Sequence, residues 1–215
     1  MRWSGNLAYV IGLIVTDGNL SKDGRHIELT SKDKEQIETF SRILNLKNKI
    51  GYKKSGYNPN GVYYRIQFGN VKLYRFLIKI GLTPNKTKTI GQLTIPDKYF
   101  DDFLRGHLDG DGYTTSFYDS IFKNSYRLYT GFVSASELHL RWLRHQIERL
   151  YGLKGSFRYS KGAHTFQLRY AKKASIRLLG IMYHKKKIPY LKRKHSKIMK
   201  ALSIIDKKNA GVMKW

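Results

Sequence analysis

The sequence contains no cysteine, only 4 prolines, and few acids: 15 Asp and Glu stand against 41 Lys and Arg in 215 residues. Without cysteine there is no disulfide, no zinc ribbon, no cysteine-ligated zinc finger and no thiol nucleophile. No apolar run approaches the roughly 18 residues that cross a bilayer; Val10–Val15 is among the longest. The start, Met1-Arg2-Trp3, lacks the cleavage pattern of a signal peptide. The expectation is an intracellular protein, not secreted, with no membrane partner. The histidines show no zinc-protease spacing, and no phosphate-cradling Gly-Lys-Ser/Thr or G-x-G-x-x-G loop is present.

The shortage of acids leaves a formal net charge of +26. Solubility needs far less, so the excess points to a polyanion, and to nucleic acid first. The imbalance is steepest from Arg149 to Ile205, a stretch with no Asp or Glu. Ile188, Leu191, Ile198, Met199 and Leu202 are interleaved there at near-helical spacing, which predicts a packed terminal helix with a basic outer face.

Against these absences stands an internal repeat. Val10-Ile11-Gly12-Leu13-Ile14-Val15-Thr16-Asp17-Gly18 is echoed by Leu104-Arg105-Gly106-His107-Leu108-Asp109-Gly110-Asp111-Gly112, at an offset of 94 residues. The surrounding pattern also repeats: helix, strand, strand, helix, strand, strand, helix. Helices are expected over about 6–15, from a cap at Ser31 or Asp33 to about Leu44, and over 71–80. In the second half they are expected from Pro96-Asp97 to about Leu108, from Ser136 onward, and over 172–182. Strands are expected at 26–30, 49–54 and 62–68, then at 112–118, 127–133, 156–160 and 165–170. The first repeat is placed at 1–90 with a linker to about 96, and the second at 97–215 with the basic terminal helix.

Gly12 and Gly106 each interrupt an apolar helix at a cost of about 1 kcal/mol relative to alanine. Close packing of the two helices against each other accounts for both. Asp17 and Asp111 then lie at the helix C-termini, where the helix dipole disfavours an acid. Brought together, they repel unless a cation sits between them. Oxygen ligands of this kind suit Mg²⁺, with waters and phosphates completing its shell. A calcium loop starting at Asp109 is excluded, because Tyr113, Thr114 and Ser120 occupy the positions that need an oxygen ligand, a glycine and a glutamate.

Strand alternation turns Tyr63, Arg65 and Gln67 outward in the first half, beside Lys49 and Lys53. In the second it turns Thr165, Gln167 and Arg169 outward, beside Arg158. Arginine and glutamine on a sheet face are residue types that read guanine and adenine edges in the major groove.

The two segments at Val10–Gly18 and Leu104–Gly112 resemble the signature of LAGLIDADG homing endonucleases in their single-chain, two-motif form. The second match is closer; the first has Val15 and Thr16 where an acid and a small residue are usual. The resemblance implies an α+β fold of two pseudo-symmetric αββαββα repeats. Two saddle-shaped antiparallel sheets straddle DNA around a central two-helix interface at Gly12 and Gly106. It implies a monomer that cleaves double-stranded DNA at a long, imperfectly palindromic target. Asp17 and Asp111 would be the catalytic metal ligands, with Mg²⁺ as cofactor, Mn²⁺ able to substitute, and Ca²⁺ binding without efficient cleavage. Lys32, after the second strand, would position phosphate or water. Ser134-Ala135 stands at the matching place in repeat two, leaving Lys86, Lys88, Lys186 and Lys194 as looser candidates. Other outcomes of the same fold are an RNA maturase assisting intron splicing and a catalytically silent DNA-binding regulator. An intein host is not expected.

Overall fold

A computed structural model describes residues 1–54, 61–184 and 187–212. Its element order is α1 (Gly5–Asp17), β1 (Gly18–Leu20), β2 (His26–Ser31), α2 (Lys34–Ile43), β3 (Gly51–Lys54), β4 (Val62–Gly69) and α3 (Val71–Lys79). The second half repeats it with α4 (Phe100–Asp109), β5 (Tyr113–Tyr118), β6 (Tyr126–Ser134), α5 (Glu137–Tyr151), β7 (Ser156–Ser160), β8 (Thr165–Tyr170) and α6 (Lys172–Met182). One helix, α7 (Lys192–Val212), follows the second repeat. Each half builds one antiparallel four-stranded sheet, in the orders β1-β2-β4-β3 and β5-β6-β8-β7.

Strand alternation sorts each sheet into two faces. Ile27, Leu29, Ile66 and Phe68 are buried beneath the first sheet, and Leu128, Phe132, Leu168 and Tyr170 beneath the second. The helices cover these faces. The opposite faces are open, carrying Glu28, Arg65 and Gln67 in the first half and Arg127, Tyr129, Gln167 and Arg169 in the second.

The core is built around α1 and α4, which pack against each other along their length. Every residue of α1 from Leu7 to Val15 is buried, as is every residue of α4. A Cβ on Gly12 would collide with the Phe103 carbonyl and the His107 amide, and one on Gly106 with the Tyr9 carbonyl. The two glycines are therefore the contact that lets the backbones meet.

Several expectations shift on the structure. Lys49 precedes β3 and is exposed outside the sheet. Pro96-Asp97 opens a 3-10 turn (Asp97–Tyr99), and α4 begins only at Phe100. The terminal helix begins only at Lys192, so Ile188 and Leu191 precede it; Leu191 and Ile198 are buried, but Met199 points to solvent at 48% exposure. The expected loop through Gly56 and Asn58 to Asn60, and Lys186, lie outside the described residues.

Candidate active site

The C-terminal ends of α1 and α4 meet at a cavity of about 510 Å³. Asp17, Asp109 and Asp111 line it, with Ser31, Lys32, Asp33 and Gln36 from repeat one and Arg193, Lys194 and Lys197 from α7. Thr30 and Tyr63 from the open face of the first sheet, and Tyr113 from that of the second, also reach it. The acids therefore sit where the two open faces converge.

Burial pushes both acids upward. The Asp17 carboxyl is raised to about 7, first by burial and then by the charge of Asp111. Asp111 is raised by burial, and Lys194 and Lys86 oppose that rise. A cation beside the two carboxylates would relieve the repulsion that Asp111 exerts on Asp17. Gln36 donates its Nε2 to Asp17 Oδ2 at 3.2 Å, and Ser31 Oγ donates to Gln36 Oε1 at 3.1 Å. That relay fixes Asp17 through its side chain. Gln36 is buried because it shares a helix face with Phe40, one turn on. A glutamine on an otherwise apolar stripe was the signal that could have revealed it from sequence.

The neighbouring acid, Asp109, has a different function. Its Oδ2 accepts from the Tyr9 hydroxyl at 2.8 Å and from the Leu191 amide at 2.8 Å. It thereby ties α1 and the entry to α7 onto α4. Its carboxyl is raised to about 6 by burial, and its Oδ1 is buried with no hydrogen-bond partner.

The lysines differ sharply. Lys32 is exposed at the cavity rim. Lys86, in the segment between the repeats, is 6% exposed. Burial lowers it to about 8, while Asp111 and Asp17 pull it back up. Lys194 is likewise lowered to about 8 by burial. Lys88 is exposed and lines a separate cavity with Ala135, Tyr159 and Phe166.

On the open faces, Arg65 is not free to reach a partner unaided. It is bound to Glu28 at 2.6 Å and to Gln67 at 2.5 Å, and Lys53 lies 3.7 Å from the same glutamate. In the second sheet Arg169 lies over the Tyr129 ring at 4.6 Å, which stands 6.2 Å from Phe117. Arg158 is exposed, with Thr165 and Gln167 half-buried beside it. Strand alternation in the sequence did not single out Glu28 or the aromatic pair on these faces.

Comparison with known proteins agrees with this architecture. Residues 4–81 match the model of the LAGLIDADG-like domain. Over 120 residues, 53% of this chain, it is 30% identical to the uncharacterized protein MJ0398 of Methanocaldococcus jannaschii, and the match spans only 41% of that relative. The homing endonuclease I-DmoI, solved in complex with DNA and Ca, superposes with a TM-score of 0.59 at 17% identity, covering 91% of this chain and 97% of that one. It has also been solved with DNA and Mn. The N-terminal LAGLIDADG domain of DUF199/WhiA superposes with a TM-score of 0.56 at 17% identity, covering 86% and 85%.

The chain thus carries a LAGLIDADG-like domain and has the two-repeat LAGLIDADG fold. That fold is shared with homing endonucleases and with WhiA.

Proposed function

We propose that this protein is a metal-dependent, site-specific double-strand DNA endonuclease. The observation that carries this reading is the placement of Asp17 and Asp111 in one cavity at the junction of both open faces. A duplex lying along those faces would have both acids against its backbone. The net charge of +26 supplies the attraction.

The donor set suits a divalent cation. Among the described residues no three His, Asp or Glu side chains form a complete metal cage. Two carboxylates leaving room for water and phosphate oxygens match the way Mg²⁺ is usually held. Asp17 and Asp111 would hold it, and when bound it activates water and neutralises charge on the phosphate. The I-DmoI complexes with Ca and Mn support a divalent ion of this class.

The chain's own groups orient the rest. Gln36 keeps the Asp17 carboxylate turned into the cavity. Lys32 and Lys197 on the cavity wall are placed to receive a backbone phosphate. The buried Lys86 supplies positive charge that acts on both acids. One chain supplies both halves of the site, so a monomer suffices. The unlike open faces fit a target that is long and not perfectly palindromic. Base readout is assigned to Tyr63, Gln67, Arg65 with Glu28, Arg158, Thr165, Gln167 and Arg169, with Lys53 at the margin.

WhiA shares the fold, so the fold by itself does not decide the activity. The presence of both acids in the cavity favours a nuclease over a silent DNA-binding protein or a maturase. The deciding experiment compares Asp17→Asn and Asp111→Asn with the wild type. Both variants should lose Mg²⁺-dependent cleavage and keep duplex binding. Cleavage at the wild-type rate by either variant refutes the assignment.

A further inference from the structure

The two acids stand on unlike backbones. Asp17 is the last residue of α1, and the next residue, Gly18, pairs with Leu29 as β1 begins. Helix and sheet together hold it. In repeat two, α4 ends at Asp109, two motif positions earlier, and β5 begins at Tyr113. Asp111 therefore lies in a turn between two glycines. A helix end leaves its last carbonyls without intrahelical donors.

Lys194 supplies one such donor, to Leu108, and two more to the turn beyond the helix. Its Nζ bonds the carbonyls of Leu108 at 2.7 Å, Gly110 at 2.6 Å and Gly112 at 2.8 Å. Two of these carbonyls flank Asp111 directly. An ammonium has three N–H donors, and all are used here. Lys194 is thus saturated by backbone and has no donor left for phosphate or water. A cation at a helix C-terminus is also favourable in itself.

The helix that presents Lys194 has no counterpart in the first repeat and is pinned at its start. Arg193 forms a two-pronged pair with Asp33 at 2.7 and 3.1 Å. Leu191 donates its amide to Asp109, and the buried Arg105 donates Nε to the Pro189 carbonyl at 2.8 Å. α7 therefore bridges repeat one, through Asp33, to the Asp111 turn of repeat two.

We infer that Lys194 is a positioning residue that fixes the Asp111 turn for cation binding, making α7 a functional part of the site. The two acids are held by unrelated devices: Asp17 by the side chain of Gln36, Asp111 by a lysine bonded to the backbone on either side. This inference rests on the reading of Asp17 and Asp111 as cation ligands.

The test uses Tb³⁺ titration of the full-length protein without DNA, read by emission sensitised by Tyr63 and Tyr113 at the cavity. Asp111→Asn serves as the control for the underlying reading, and its loss of the Tb³⁺ site is expected. Lys194→Met should bind Tb³⁺ about 10–100-fold more weakly, the usual scale for removing a group that orients a ligand. It should keep duplex binding in EDTA. The Mg²⁺ concentration for half-maximal cleavage should rise, while KM for duplex stays unchanged. Lys194→Arg, which retains charge and donors, should recover part of the loss. If Lys194→Met does not fold, Lys194→Gln carries the same comparison. Wild-type Tb³⁺ affinity in either neutral variant overturns the inference while leaving the acids' assignment intact. Wild-type affinity in Asp111→Asn instead overturns the underlying reading.

Discussion

The Tyr9 hydroxyl donates to Asp109 across the two central helices at 2.8 Å. Tyr9 stands one residue before the repeated motif and Asp109 at its sixth position; their counterparts at the 94-residue offset are Phe103 and Val15, so the bond breaks the pseudo-symmetry that Gly12 and Gly106 obey. Tyr9→Phe should destabilise the fold by about 1–3 kcal/mol, the cost of leaving a buried acceptor short of a partner. The cost should grow as pH rises past about 6, where Asp109 becomes charged. Urea unfolding at pH 5 and pH 8 measures both effects.

Gly12→Ala and Gly106→Ala place a Cβ against backbone that has no rotamer to yield. Each should cost about 3 kcal/mol or more, at the upper end for overpacking. Gly162→Ala, whose Cβ would meet nothing within 4 Å, is the matched control and should change stability by under about 0.5 kcal/mol. Thermal melts separate the three variants.

Much of this interface was legible in the sequence, because a glycine at the same place in two apolar helices marks where their backbones touch. The repeat order was legible too, since each half carries the same alternation. So was the end of α4: the sequence places it at about Leu108, and the helix ends at Asp109, capped by Gly110 where repeat one has Thr16. Asp111, expected at the helix C-terminus, lies two residues beyond it, and the packing of α7 onto the 108–112 turn was not legible. The fate of Arg65 was hidden as well. It depends on β4 lying beside β2, which sets Glu28 opposite Gln67 and next to Arg65, and that pairing is non-sequential. Met199 misled because helical spacing defines a stripe without saying how wide a face its neighbours cover.

Asp17 and the buried His107–His139 pair set opposing pH dependences. The Asp17 carboxyl is raised to about 7 in the fold against an ordinary value of 3.8. Its contribution is therefore lost as pH climbs from about 4 to 7, leaving a penalty above that window. His107 and His139 stack with their Nε2 atoms 3.2 Å apart, and burial lowers both, His139 to about 4. Their contribution is present above about 6.5 and lost as pH falls toward 4. Asp17→Asn removes only the first of these effects. In EDTA it should be more stable than wild type at pH 8 by an amount on the order of a few kcal/mol. That advantage should vanish near pH 4. An advantage independent of pH would contradict this.

Gln36→Leu removes the side-chain amide that bonds Asp17 and leaves Ser31 Oγ without its acceptor. Cleavage should fall about 10–100-fold, the range for groups that orient metal ligands, with duplex binding in EDTA unchanged. Gel-shift and cleavage assays on one substrate resolve the two.

The central claim, one composite site built from Asp17 and Asp111, is tested most directly by incubating the protein with a randomised duplex library and sequencing the new ends. With Mg²⁺, cut ends should accumulate at one shared sequence. With EDTA, or with the Asp17→Asn/Asp111→Asn double variant, they should be absent. A protein that binds the library yet produces no new ends with Mg²⁺ or Mn²⁺, or a double variant that cuts as well as wild type, would contradict the account.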